Sequence, residues 1–205
     1  MSLDSLKLPK QVLENLNTLG FTEPKEIQLK ALSRINGGQE MILVGPEGCG
    51  KSTLLVMSVI AKLKYAFEVA PRALIMVSSK EKGMELESHF RNFGEGMDLR
   101  VVGFYPKVDD EEQREWLREG VDVAIGTPDK ILALYIRSGI NLTKLKLFIV
   151  DDTEEIIKSS QQVIIKNITD NLNKCQFILT TTEINPKIEK LGGYFFLNEV
   201  VIEVE

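Results

Sequence analysis

The sequence lacks any apolar run long enough to cross a membrane, and it contains only two cysteines. A membrane-spanning helix needs about 20 consecutive apolar residues, whereas the longest apolar runs here have the length of a strand. Cys49 and Cys175 lie far apart and are not spaced like metal ligands, so we expect reduced thiols in a cytoplasmic protein. The first six residues show no secretory signal. We therefore expect no membrane partner.

Positive charge is also scarce. The 205 residues include 25 Lys and Arg against 30 Asp and Glu, which gives a formal net charge of −5. This balance argues against a protein that holds nucleic acid through bulk electrostatic attraction. Any contact with nucleic acid is then expected to be local and weak. The length and the 43% hydrophobic content suit one domain over residues 1–205 with a substantial core.

A glycine-rich segment follows an apolar run at residues 41–44. Residues 45–52 read G-P-E-G-C-G-K-S and match the phosphate-loop pattern G-x-x-x-x-G-K-[ST]. Glycines let backbone N–H groups curve round a phosphate, and a helix that begins near Lys51 directs its positive end to the same point. In this pattern Lys51 reaches the β- and γ-phosphates, and the Ser52 hydroxyl holds Mg²⁺. The alternative is an ordinary glycine turn. The predicted nucleotide-binding residues of this segment are Gly45, Pro46, Glu47, Gly48, Cys49, Gly50, Lys51, Ser52 and Thr53.

An acidic segment after another apolar run is the second part of the predicted site. Residues 147–150 are apolar and end at Asp151 and Asp152. Ligands of open α/β sheets bind at the carboxyl ends of strands. We therefore expect Asp151 to hold Mg²⁺ through water and Asp152 to polarise the attacking water. Capping of the following helix by these acids is the alternative interpretation.

Strand-like and helical segments alternate along the chain. The strand-like runs are continuously apolar, which is typical of a parallel sheet covered by helices on both faces. We predict an α/β fold with three layers, α/β/α, and a mainly parallel sheet. The predicted strands are 41–44, 73–77, 100–104, 121–125, 145–150, 176–180 and 200–204, and the predicted helices are 6–19, 27–35, 53–67, 81–93, 110–118, 128–138, 161–171 and 186–191.

Several short motifs occur in a fixed order around these two segments. The first motif precedes the phosphate loop and consists of Gly20-Phe21, Pro24 and Ile27-Gln28. The loop is followed by Ser78-Ser79-Lys80-Glu81, then by Gly103, and then by Thr127-Pro128-Asp129-Lys130. The last two motifs are Asp151-Asp152-Thr153-Glu154 and Thr180-Thr181-Thr182. This order resembles the DEAD-box family of RNA helicases, specifically the first of that family's two RecA-like lobes. The resemblance covers essentially the whole chain. Its most specific part is the first motif, the Q motif, because other phosphate-loop families lack it.

The resemblance implies a role for each motif. Gln28 would read adenine with Phe21 beside it, and Lys51 and Asp152 would be catalytic, with Mg²⁺ held by Ser52 and Asp151. The residues implied to contact RNA are Ser79, Lys80, Gly103, Thr127, Asp129 and Lys130. Coupling of the nucleotide to RNA and to a second lobe is implied for Glu154, Thr180 and Thr182. The implied cofactors are ATP and Mg²⁺, and the implied partners are RNA, a second RecA-like lobe or another protein.

Some residues depart from the family pattern. Asp152 stands where the family has a glutamate, so the carboxylate is drawn back by about 1.5 Å. A misplacement of that order can lower a rate about a hundredfold. Glu47 adds negative charge beside the phosphates. Leu3 replaces an aromatic residue that stacks on adenine, so apolar contact with adenine is expected without stacking. Phe104 fills the second position of a glycine pair, where we expect it to obstruct the approach of RNA.

Two functions are compatible with this sequence. The first is the ATP-binding lobe of a DEAD-box-like RNA helicase, with slow or absent ATP hydrolysis on its own. The alternative is a stand-alone pseudo-helicase that acts as an interaction module and has a vestigial nucleotide site. The second helicase lobe is expected to be absent from this sequence. We expect His89 at the surface or core edge, and Trp116 to pack its helix onto the sheet.

Overall fold

The computed structural model of the chain describes residues 2–172 and 175–205. Within these ranges, helices α1 to α9 are Lys10–Thr18, Glu26–Asn36, Lys51–Leu63, Lys80–Phe93, Asp110–Glu119, Pro128–Ala133, Thr153–Lys158, Gln162–Thr169 and Pro186–Gly192. Strands β1 to β7 are Met41–Val44, Ala73–Met76, Val101–Phe104, Val123–Gly126, Leu147–Val150, Gln176–Thr181 and Val200–Glu203. None of the helices in the described ranges has the length and apolar character that crossing a membrane requires.

The seven strands form one sheet in the order β3-β4-β2-β5-β6-β1-β7, and every neighbouring pair is parallel. Strand β6 lies between β1 and β5, so the loop after β1 and the acidic segment after β5 leave the same edge of the sheet. Two strand spacings, about 10 Å, separate them at that edge. The predicted α/β fold with a mainly parallel sheet is confirmed.

Helices cover both faces of the sheet, because successive residues of a strand point to opposite faces. In β5, Ile149 belongs to an apolar cluster that contains residues of α1 to α4. Its neighbour Phe148 belongs to a second cluster on the other face, which contains residues of α6 to α9. Helix α5 packs on this second face through Trp116, whose ring centroid lies 6.4 Å from that of Phe104. The expectation for Trp116 is therefore confirmed.

Most differences from the predicted elements lie at helix ends. The helix predicted at residues 6–19 is divided into a 3-10 turn at Leu3–Leu6 and helix α1, because Pro9 has no N–H donor to continue a helix. Helix α3 ends at Leu63, and α6 continues into a π-helical turn at Leu134–Ser138. Helix α7 was not predicted. Its six residues are too few to show a helical period.

A buried ion network lies at the amino ends of the strands, whereas the glycine-rich loop lies at their carboxyl ends. Asp122, which is 0% exposed, accepts hydrogen bonds from Arg72 Nη2 and Arg100 Nε, both at 2.8 Å. Burial acts to raise the pKa of Asp122, but the hydrogen bonds from Arg100 and Arg72 outweigh it and lower the pKa. Arg72 also donates to the carbonyl oxygens of Leu63 and Tyr65. The network therefore fixes the connection between α3 and β2.

Candidate functional site

The glycine-rich loop between β1 and α3 depends on two of its glycines for its shape. Gly48 and Gly50 have φ angles of +77° and +100°, a left-handed conformation that side chains disfavour. A Cβ atom on Gly50 would also lie 2.8 Å from Gln28 Nε2. The loop therefore needs glycine at both positions, which agrees with the phosphate-loop pattern.

Lys51 begins α3 and is buried, with 6% of its surface exposed. Its ammonium group donates to the carbonyl oxygen of Gly45 and, at 3.0 Å, to that of Pro46. It also lies 3.8 Å from Cys49 Sγ. The ammonium group is thus folded onto the loop, next to the N-terminus of α3, where an anion is stabilised by backbone N–H groups. Ser52 lies half-buried in the same first turn of the helix.

Gln28 joins α2 to the loop. Its buried side chain accepts a hydrogen bond from Lys25 N at 2.9 Å and donates one to the Thr53 hydroxyl at 2.8 Å. The Thr53 hydroxyl donates in turn to Gly50 O at 3.0 Å. Both ends of the Gln28 amide are therefore used within the protein. Contact between adenine and Gln28 would have to share or replace one of these bonds.

A cavity of about 350 Å³ brings the loop together with α2, α4 and the end of β5. Its walls include Phe21, Gln28, Asp152 and the loop residues Glu47, Gly48 and 50–53. Three predicted nucleotide-binding residues, Gly45, Pro46 and Cys49, do not line it. Leu3 does not line it either and is buried in the core at 4% exposure. The expected contact between Leu3 and adenine is therefore wrong, because Leu3 packs inward from its 3-10 turn.

Several cavity residues were missed by the sequence analysis. Lys82, Glu85 and His89 follow one another at intervals of three and four residues and line the cavity from α4. His89, expected at the surface or core edge, is half-buried at the cavity wall and stacks on Phe93 with ring centroids 5.3 Å apart. Burial lowers the pKa of His89. The helical spacing is visible in the sequence, but which way α4 faces is decided by tertiary packing.

Thr180 links the two acids at the end of β5. Its hydroxyl donates to Asp151 Oδ1 at 2.6 Å and accepts from Asp152 N at 2.9 Å. Asp151 is 3% exposed, and burial together with the charge of Asp152 raises its pKa to about 6. The Thr180 hydrogen bond and the charges of Lys82 and Lys51 oppose that rise. A divalent cation would also favour the ionised form, and it takes hydroxyl and carboxylate oxygens as ligands, so Ser52 and Asp151 fit Mg²⁺ chemically.

Asp152 faces the cavity rather than capping a helix. It stands at the N-cap position of α7 with φ +47°, but its side chain makes no capping hydrogen bond. Asp152 Oδ2 instead lies 3.3 Å from Lys82 Nζ. The alternative interpretation, in which this acid caps the following helix, is wrong for Asp152.

A second link joins the acidic segment to the end of β6. Glu154 Oε1 accepts a hydrogen bond from Thr182 N at 2.9 Å. Burial acts to raise the pKa of Glu154, but hydrogen bonds from its own backbone and from Thr182 outweigh it and lower the pKa. Glu154, Thr180 and Thr182 therefore join the acidic segment to the end of β6. Their predicted role in coupling the nucleotide to RNA and to a second lobe stays a prediction.

Comparison with known proteins identifies the family. The model of the DEAD/DEAH box helicase family matches residues 25–191, which include Gln28, the loop, both acids and the three threonines. The chain belongs to this family. The ATP-dependent RNA helicase eIF4A of Eremothecium gossypii is 26% identical over 156 residues, which are 76% of this chain and 39% of that protein.

Solved DEAD-box structures share the fold. A DEAD box protein from the hyperthermophile Methanococcus jannaschii matches 100% of this chain and 56% of its own, with a TM-score of 0.94 and 21% identity. The RNA helicase Prp28 from Chaetomium thermophilum, bound to ADP, matches 100% of this chain and 50% of its own, with a TM-score of 0.91 and 21% identity. The chain thus spans about half of these structures and corresponds to the first RecA-like lobe of a DEAD-box protein.

Two residues of this DEAD-box chain that were predicted to contact RNA already have partners within the protein. Lys130 Nζ lies 2.6 Å from Asp110 Oδ1 at the start of α5. Asp129 accepts a hydrogen bond from Gln161 at 2.5 Å. Contact of Lys130 with an RNA phosphate would therefore compete with an internal ion pair.

The other predicted RNA residues at helix starts differ in exposure. Thr127 is buried at the N-cap of α6. Ser79 caps α4 by accepting from Lys82 N at 3.3 Å, whereas the next residue, Lys80, is exposed. Of these three residues, Lys80 is the one placed to reach a large ligand.

Gly103 and Phe104 of β3 are explained by packing. A Cβ atom on Gly103 would lie 2.1 Å from Glu87 Oε1 and 2.4 Å from Tyr105 Cε2. Phe104 is 0% exposed and packs against Trp116. The expectation that Phe104 obstructs RNA is therefore wrong, because its side chain lies in the core. Gly103 is required by its neighbours whether or not RNA approaches it.

Proposed function

We propose that this chain is the nucleotide-binding lobe of a DEAD-box-like ATP-dependent RNA helicase and that it binds Mg-ATP with slow or absent hydrolysis on its own. The observation that supports this best is the single cavity lined by the phosphate loop, Gln28 and Asp152. The eIF4A relative is named an ATP-dependent RNA helicase, and the Prp28 structure holds ADP. Both agree with an adenine nucleotide as ligand.

Each residue of the site has a proposed role that follows from its position. Lys51 would neutralise phosphate charge from the first turn of α3, and Ser52 and Asp151 would hold Mg²⁺. The bound ion would neutralise charge on the phosphate oxygens. Asp151 would act through water. Thr180 holds the Asp151 carboxylate and the backbone N–H of Asp152 by its two hydrogen bonds.

Slow hydrolysis follows from the environment of Asp152. Its carboxylate is one methylene shorter than the family glutamate, and it is held by Lys82 at 3.3 Å. The ion pair leaves this carboxylate less available to accept a hydrogen bond from an attacking water. The cavity walls also carry more acid than base: Glu23, Glu47, Glu85 and Asp152 against Lys25, Lys51 and Lys82. We therefore expect triphosphate binding to be weak and strongly dependent on Mg²⁺.

Contact with RNA is proposed to be weak for a similar reason. Phosphate contacts supply most of the affinity of such complexes and come mainly from lysine and arginine. In this chain Lys130 is paired with Asp110, and the chain as a whole carries a net charge of −5. Stable RNA binding would then require a second RecA-like lobe or another protein as partner.

The second candidate function is a protein or RNA interaction module with a vestigial nucleotide site. Two observations favour it. Lys51 donates to loop carbonyl oxygens, and the four carboxylates at the cavity repel phosphate. In this case nucleotide would have no effect on the chain.

Calorimetric titration with Mg-ATP, Mg-ADP and Mg-GTP distinguishes the two functions. We expect binding that is selective for adenine, and loss of that binding in Lys51→Ala. Lys10→Ala, at an exposed ion pair with Glu14, is the control and should bind like the wild type. Absence of binding at millimolar nucleotide, or equal binding by wild type and Lys51→Ala, would overturn the nucleotide-site proposal and favour the interaction module.

A further inference from the structure

We propose that Lys82 is a phosphate-binding residue that makes this site selective for triphosphate over diphosphate nucleotides. The inference rests on the proposed nucleotide site. Lys82 belongs to none of the motifs that the sequence analysis identified, and its place at the cavity is shown by the structure alone.

Lys82 lies between the acidic segment and the loop. It belongs to the first turn of α4 and lines the same cavity as Lys51 and Ser52. Its ammonium nitrogen lies 3.3 Å from Asp152 Oδ2, and its side chain remains 45% exposed. In a phosphate-loop site the γ-phosphate lies between the loop lysine and the acid that orients water. With a nucleotide bound in this way, the Lys82 charge would lie beside the terminal phosphate.

The charges around Lys82 keep it protonated. Asp152 contributes most to a raised pKa of Lys82, and Glu85 and Glu47 add to that effect. No second cation is in ion-pair contact with Asp152 among the described residues. Lys82 is thus the group that offsets the negative charge of the acid at this end of the cavity.

An ammonium group has three N–H donors, so Lys82 could hold the Asp152 carboxylate and a phosphate oxygen at the same time. Without it, a γ-phosphate would lie beside an unpaired carboxylate, and the two like charges would repel. A diphosphate lacks the phosphate that would occupy this position. Loss of the Lys82 charge should therefore weaken binding of ATP much more than binding of ADP.

The test measures the dissociation constants of Mg-ATP and Mg-ADP for wild type and Lys82 variants by calorimetry. Because a hydrogen bond between charged groups is worth roughly tenfold or more in affinity, we expect Lys82→Met and Lys82→Gln to weaken ATP binding by about that factor. ADP binding should change by less than about threefold in both variants, and Lys82→Arg should restore ATP binding. Lys10→Met is the matched control, because it breaks an exposed ion pair of the same 3.3 Å length outside the cavity.

Asp152→Asn separates phosphate contact from a purely structural ion pair. It removes the partner of Lys82 but leaves the lysine charge in place. If Lys82 contacts phosphate, this variant should bind ATP as tightly as the wild type or more tightly, and Lys82→Met added to it should still weaken ATP binding. If Lys82 only offsets the Asp152 charge, Lys82→Met should have no effect in the Asp152→Asn background. If Lys82 acts only by holding Asp152, the variant should show the same loss as Lys82→Met.

The outcomes also separate this inference from the proposal on which it rests. An unchanged ratio of ATP to ADP affinity in both Lys82→Met and Lys82→Gln would overturn the role of Lys82 and leave the nucleotide site intact. An Asp152→Asn variant that loses ATP affinity like Lys82→Met would overturn it as well. A wild-type chain that binds neither nucleotide would overturn both proposals.

Discussion

Replacing Asp151 by asparagine should stabilise the protein while it weakens binding of Mg-nucleotide. Asp151 is 3% exposed and lies beside Asp152, so its ionised form is disfavoured in the folded chain. Asparagine has nearly the same shape, carries no charge, and can still accept the hydrogen bond that Thr180 donates. The variant therefore removes an electrostatic cost without opening a cavity.

The magnitude follows from the pKa of Asp151. The folded structure raises it from 3.8 to about 6. Between these values the folded chain keeps a proton that the unfolded chain has released, so the free energy of unfolding falls as pH rises through this window. At about 1.4 kcal/mol per pKa unit, the full cost above the window is about 3 kcal/mol. Near pH 4.5 about 1 kcal/mol of it is already present, because the unfolded state is mostly ionised there.

We compare the free energy of unfolding of Asp151→Asn with that of the wild type at each pH. The increase caused by the substitution should be about 2 kcal/mol larger near pH 7.5 than near pH 4.5. Urea unfolding of both chains at the two pH values, without Mg²⁺ or nucleotide, measures this difference. Asp98→Asn, at an exposed carboxylate, is the control and should change stability by less than about 0.5 kcal/mol at either pH.

A gain that is equal at both pH values would refute the reasoning, because it would show that ionisation of Asp151 is not what costs stability. A variant less stable than wild type near pH 7.5 would refute it too. Calorimetry on the same variant should show weaker binding of Mg-ATP. Unchanged binding would contradict the assignment of Asp151 to the Mg²⁺ site.

Two further predictions concern packing. Gly103→Ala should destabilise the chain by about 1 to 3 kcal/mol in the absence of RNA, because its Cβ would lie 2.4 Å from Cε2 of the buried Tyr105 ring. Unchanged stability in urea together with weaker RNA binding would show instead that Gly103 serves RNA contact. Asp122→Asn should cost about 3 to 5 kcal/mol, because it leaves the buried Arg72 guanidinium without its charge partner. The stability that Asp122 supplies should also be lost at low pH, as pH falls through its lowered pKa. If Asp122→Asn lowers the free energy of unfolding in urea by less than about 1 kcal/mol, the network does not stabilise the fold as proposed.

The sequence was sufficient to predict features that depend on residues close together in the chain. A phosphate loop is a short run of glycines followed at once by a helix. The glycines that allow its backbone conformation and the start of the helix therefore lie together at residues 45–53. Continuously apolar strands likewise predicted a parallel sheet, and the acids that end β5 could be placed at the same edge of the sheet as the loop. The order of motifs was enough to point to the DEAD-box family.

Side-chain direction was less predictable. Phe104 occupies a motif position associated with RNA contact, yet its side chain is buried because that face of β3 packs against α5. Leu3 was assigned to adenine by its place in the motif order, but the 3-10 turn at Leu3–Leu6 directs it into the core. Motif position specifies a place along the chain, and packing decides which way the side chain points.

By itself the sequence determined the family, the sheet and the identity of the loop and acids, because each depends on a local pattern of residue types. Only the tertiary structure decided the electrostatics of the site. The pairing of Lys82 with Asp152, the raised pKa of Asp151 and the pairing of Lys130 with Asp110 join residues that lie far apart in the chain. Such interactions depend on burial and on distance in space, which no local pattern records.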